Sequence, residues 1–146
     1  MKNTEYTDIN LSISKKKGKL PSLPFSDIKV AILGKRYELS IHFATEDEAQ
    51  KLNITHRNKD YIPNTLSFPY TKASGEIILC EEAMKKQYKD FGLSYDAFVI
   101  YILIHSMLHL KGFEHGSTME SKEAYFLKKL TGSTLTHNEE KHNSRY

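Results

Sequence analysis

The chain has 146 residues, the length of one ordinary domain, and 21 Lys and Arg against 18 Asp and Glu leave a formal charge of only +3, too small a bias to announce a nucleic-acid binder and no bar to one. The lone Cys80 excludes an internal disulfide framework and suits a reducing compartment. The start MKNTEYTDINLSI lacks the basic and apolar regions of a signal peptide, and the longest apolar run, Ala97 to Ile104, is far short of the ~18–20 residues of a membrane span, so a soluble cytoplasmic protein is expected.

In chain order, Ile9 to Ile13 alternates apolar and polar residues like a strand, and Lys15-Lys16-Lys17-Gly18-Lys19 reads as a solvated loop. Phe25 to Leu33, after Pro21 and Pro24, is a short helical candidate. Tyr37, Leu39, Ile41 and Phe43 alternate with Glu38, Ser40 and His42, the period of a half-buried strand, which turns His42 outward. Thr45 and Glu48 form a capping box, so a helix runs from there through Leu52 towards His56. Leu66-Ser67-Phe68 and Ile77 to Cys80 are further strands, and Glu81 to Tyr88 is helical. Ser94 caps a long helix that is apolar nearly all round its first half, the mark of a core helix. A last amphipathic helix spans Met119 to Leu130 and stops at Gly132. Residues 133–146, which include His137 and His142, read as a polar disordered tail, leaving 1–132 as the domain. Strands mixed with helices in one small domain give the α+β class.

The chemistry concentrates in His105-Ser106-Met107-Leu108-His109-Leu110-Lys111-Gly112-Phe113-Glu114-His115. Zinc holds imidazole nitrogen at about 2.0–2.1 Å, so its ligands crowd around one point. Histidines four apart on a helix are neighbours on one face, about 5–6 Å between Cβ atoms, whereas on a strand they would stand roughly 13 Å apart. The metal reading therefore requires a helix. Gly112 falls where that helix would end in a left-handed residue, returning His115 towards the other two rings and placing Phe113 against Leu108. Three ligands leave a tetrahedral ion one open position, as catalytic zinc sites do. Cys80 is a fourth candidate, but it follows the apolar run Ile77-Ile78-Leu79 and reads as a small hydrophobe.

The spacing His-x-x-x-His-x-x-Gly-x-x-His is shared with metzincin metalloproteases, which carry a catalytic glutamate directly after the first histidine. Here that position is Ser106, whose hydroxyl is no general base at neutral pH. Together with a second segment, Leu52-Asn53-Ile54-Thr55-His56-Arg57 through Asn64-Thr65-Leu66-Ser67-Phe68-Pro69, about forty residues upstream, the histidine run resembles the YbeY family of bacterial metal-dependent endoribonucleases, the ribosomal RNA maturation factors. Ser106 stands for that family's usual Gly, His56 for Tyr, Ile62-Pro63 for Pro-Thr, Glu76 for Asp and Glu114 for Asp, so the chain reads as a divergent member.

The resemblance implies a mixed sheet of about four strands packed with helices across 1–132, a zinc-bearing cleft beside the sheet edge, and single-strand-specific hydrolysis of RNA phosphodiesters in ribosomal RNA maturation and ribosome quality control. It implies one Zn2+ per chain on His105, His109 and His115, with Arg57 at the active site as the bidentate phosphate clamp. RNA and small-subunit ribosomal components are the implied partners. His56 and Lys59 are minor candidates for RNA contact, and Glu114 for orienting a ligand imidazole. No residue stands out as a general base. A metallohydrolase of another substrate class, such as a peptidase, and a non-enzymatic ribosome-assembly factor with a structural zinc are the competing readings.

Overall fold

A hairpin of β1 (Thr4–Asp8) and β2 (Leu11–Lys15) opens the computed structural model, which describes residues 4–135. The strand expected from Ile9 therefore starts at Leu11. Leu11 and Ile13 are the residues that reach the core, at 4% and 0% exposure, while Ile9 sits on the turn at 87%. Then follow α1 (Phe25–Ile32), β3 (Glu38–Phe43), α2 (Glu46–Arg57), the hairpin β4 (Thr65–Thr71) and β5 (Ser74–Leu79), α3 (Glu81–Gln87), a 3-10 turn (Tyr88–Phe91), α4 (Tyr95–Leu110) and α5 (Ser117–Thr131).

The sheet is mixed, with order β1-β2-β3-β5-β4. β2, β3 and β5 run parallel and the two hairpins are antiparallel, so β1 adds a fifth strand to the four that the resemblance implies. Leu11, Ile13, Leu39, Ile41, Phe43, Ile77 and Leu79 form one face and pack with α1 and α4 into the main core. Each such fully buried apolar side chain contributes about 1.5–3 kcal/mol. On the opposite face a smaller cluster of Ala44, Ala49, Leu66, Ile78, Cys80 and Ala83 seats α2. β4 is an edge strand, which is where the fold tolerates Pro69 and the irregular pairing between Pro69 and Thr71.

Local rules set the helix ends that matter for the site. Thr45 Oγ1 accepts from the Glu48 amide and Glu48 Oε1 accepts from the Thr45 amide, closing the capping box of α2. At the other end Asn58 takes the left-handed conformation, φ 57°, and stops α2 directly after Arg57. The Ser94 hydroxyl caps α4, every residue of which from Ala97 to Leu108 is buried. No single described helix is long and apolar enough to cross a membrane. The tail expected at 133–146, with His137 and His142, lies outside the described residues from 136 onward.

Candidate functional site

The last turns of α4 carry His105 and His109 on one face, and the chain reverses after them. The Phe113 amide donates to the Leu108 carbonyl at 3.1 Å and the Gly112 amide to the His109 carbonyl at 2.9 Å, the two bonds of a Schellman stop, with Gly112 at φ 101°. Phe113 packs against the main core, which contains Leu108. The reversal returns His115, and the three rings then lie with centroids 4.5, 4.8 and 5.2 Å apart.

Hydrogen bonding decides which nitrogens face inward. His109 Nδ1 lies 3.0 Å from the Phe113 carbonyl, which only accepts, so Nδ1 carries the proton. His105 Nδ1 donates to the Glu123 carboxylate. The two Nε2 atoms thus bear lone pairs, and they face one another at 3.0 Å. One ligand nitrogen from each of the three histidines lies within 4.8 Å of the others. A tetrahedral ion with bonds of about 2.0–2.1 Å separates its ligands by roughly 3.3 Å. Ring nitrogens converging at this spacing suit a divalent cation, which removes the repulsion between the facing lone pairs of His105 and His109. Burial, and then the neighbouring His105, pushes the His109 pKa down to about 4, which keeps the ring neutral. His105 is buried, His109 half-buried and His115 exposed, so the cluster opens to solvent at one end.

Glu123 was missed by the sequence reading, which offered Glu114 for this role. Glu114 is exposed, and the carboxylate on the His105 imidazole comes from α5. A signal was present: Met119, Glu123 and Leu127 recur at i, i+4 and i+8 on the buried stripe of α5, with exposures of 1%, 2% and 0%. An acid in the middle of an apolar stripe needs a partner. Burial pushes its carboxyl up to about 7, and His115 opposes that rise.

A cavity of about 260 Å³ opens beside the histidines, lined by Arg57, Thr65, Ser67, Pro69, His109 and His115 among others. α2 delivers Arg57 to it, and the loop after α2 is pinned by Asn53, whose Nδ2 donates to the Tyr61 carbonyl at 3.0 Å. His56 instead stacks edge-on against Phe68, ring centroids 5.0 Å apart, and neither it nor Lys59 lines the cavity. Ser106 is fully buried. Its hydroxyl donates to the Ile102 carbonyl and accepts from Thr65 Oγ1, both at 2.8 Å, tying α4 to β4. Cys80 sits in the small cluster under α2, where burial raises its thiol pKa, and it is not part of the histidine group. His42 lies on β3, half-buried, with Nδ1 2.8 Å from Ser14 Oγ.

A sequence model described as Endoribonuclease YbeY matches residues 8–137, nearly the whole chain. The chain belongs to the endoribonuclease YbeY family. Among relatives of that name, the one from Bdellovibrio bacteriovorus is 40% identical over 82 residues, 55% of each chain. The one from Finegoldia magna is 35% identical over 106 residues, 64% of this chain and 69% of the relative. The match to the Bdellovibrio relative thus spans little more than half of that protein's length. The fold is similar to the solution structure of a Thermotoga maritima protein, with TM-score 0.56 and 23% identity over 74% of this chain and 77% of the other. These relatives are named as endoribonucleases, and the three histidines of this chain form a cluster with the spacing of a metal site.

Proposed function

We propose that this protein is a metal-dependent endoribonuclease that cuts single-stranded RNA in ribosomal RNA maturation and ribosome quality control, and that it works in the cytoplasm with RNA and small-subunit ribosomal components as partners. The observation that carries the reading is the shared cavity in which Arg57 from α2 meets His109 and His115 across β4. In it a guanidinium shares the walls with two of the three clustered imidazoles, the pairing that an anionic phosphodiester needs.

His105, His109 and His115 are assigned as the ligands of one Zn2+, with Glu123 holding the His105 ring so that Nε2 faces the ion. When bound, the ion supplies Lewis acidity, for a phosphoryl oxygen or for a water molecule. Arg57 grips phosphate oxygens with its planar fork and offsets the negative charge that grows in the transition state. No carboxylate lines the cavity among the described residues, and the position of the metzincin glutamate is occupied by Ser106, buried against Thr65. That arrangement disfavours peptide hydrolysis by a carboxylate base.

The test incubates purified zinc-loaded protein with end-labelled single-stranded RNA and, separately, with peptide substrates, with and without chelator. Chelator-sensitive RNA cleavage with peptides intact is expected, and Ser106→Ala should keep its metal and most of the cleavage. Peptide cleavage with RNA untouched would overturn the reading in favour of a peptidase. Inactivity on both at full zinc content would favour the assembly-factor reading.

A further inference from the structure

A second depression of about 620 Å³ continues the cleft along the end of β4, sharing Pro69 and His109 with the cavity of Arg57. Its walls bring together Tyr37, Tyr70, Lys72 and Lys111. Beyond Lys72 a shallower hollow adds Lys35 and Arg36. Four cations therefore line one track leading away from the histidines, and no carboxylate lines either hollow. Such a track matches a polyanion that enters the site and runs on past it.

Tyr70 gives the track a second character. The residue is 64% exposed, and its hydroxyl donates to Glu76 Oε1 at 2.6 Å, which orients the ring. An oriented, exposed aromatic side chain between cations is the kind of stacking platform that single-stranded nucleic acids use, because every base offers a π-face. The backbone beneath it is irregular, with the β4 pairing shifted between Pro69 and Thr71, and this edge of the sheet has no further strand beside it among the described residues.

We infer that this groove is a subsite for the RNA strand flanking the scissile phosphate: Lys72 and Lys111 hold backbone phosphates, and Tyr70 stacks on an unpaired base. The inference rests on the endoribonuclease reading and extends it to the path of the substrate. It also accounts for single-strand preference, since a base locked in a duplex stack cannot reach Tyr70.

The test uses the full chain and a fluorescein-labelled single-stranded RNA dodecamer, with anisotropy recorded in chelator to stop cleavage and kinetics recorded with zinc. Replacing both lysines (Lys72→Gln with Lys111→Gln) should weaken binding about tenfold and flatten the log–log salt dependence by about 1.4, the release expected for two single-strand phosphate contacts. Tyr70→Ala should weaken binding about fivefold or more with little change in salt slope. In cleavage, both variants should raise KM and leave kcat and zinc content near wild type. The paired control Lys16→Gln with Lys17→Gln removes the same charge away from the groove and should leave affinity unchanged. If wild type binds and cleaves RNA while the groove variants match it, or while the control loses as much, the subsite is overturned and the enzyme reading stands. A wild-type protein that neither binds nor cleaves RNA would overturn the enzyme reading itself.

Discussion

Glu123, on α5, accepts a hydrogen bond from His105 on α4, and both side chains are almost fully buried at 2% and 1% exposure. The carboxylate fixes the tautomer of His105, so that Nε2 faces the other two histidines. It also couples the last helix of the domain to the candidate metal centre. Removing such a partner usually lowers metal affinity 10–100-fold. Glu123→Gln keeps the shape and loses the charge, so zinc affinity by competition with a chromophoric chelator should fall by about that factor while the fold persists. Wild-type affinity in this variant would show that the contact is structural only.

His109 and His42 are both half-buried histidines, but only His109 belongs to the cluster. Elemental analysis should find about one zinc per chain in wild type and in His42→Ala, and most of it missing in His109→Ala. Equal retention in the two variants would refute the ligand assignment.

Arg57 is expected to touch phosphate and not the metal. Arg57→Ala should retain zinc and fold yet cleave RNA slower by about two or more orders of magnitude, the scale of a lost charge stabiliser. Arg57→Lys should recover part of that loss, since a point charge lacks the bidentate fork. Cleavage by Arg57→Ala at the wild-type rate would remove the role.

In metal-free protein the His109 pKa is held at about 4 against an ordinary value of 6.5. Between those values the unfolded chain binds a proton that the folded ring refuses, so this group's contribution to stability is full above about pH 6.5 and is lost as pH falls towards 4. Glu123, pushed up to about 7, works in the opposite sense: its contribution is full below its ordinary 4.5 and is lost as pH rises through 7. The two windows overlap, so bulk unfolding curves mix them. Site-resolved NMR of the imidazole nitrogens separates them, and should show His109 neutral down to about pH 4. Titration of that ring near 6.5 would contradict the burial argument.

Gly112 has φ 101° and open space where a Cβ would stand, so substitution there is opposed by backbone conformation alone. Gly112→Ala should cost about 1–2 kcal/mol in urea unfolding. Because the same turn aims His115, zinc affinity should fall as well. A stability equal to wild type would mean that the turn relaxes without penalty.

Local chemistry made part of this protein readable in one dimension. The i, i+4 pair of His105 and His109, the glycine stop and the return to His115 depend on the geometry of one helix and one turn, which a few neighbouring residues dictate. The caps of α2 and α4 and the strand periods are local in the same way, so α2, β3, α4 and α5 stand close to where the pattern puts them. Tertiary structure decided the rest. The pairing of β1 with β2 depends on which apolar residues the core accepts, and it moved the strand from Ile9 to Leu11. Glu123 meets His105 across eighteen residues, Thr65 meets Ser106 across forty-one, and Arg57 reaches the histidines only because α2 and α4 lie on opposite sides of one edge strand. Such contacts are set by how layers pack, and no local spacing encodes which polar side chain a fold will bury against which ligand.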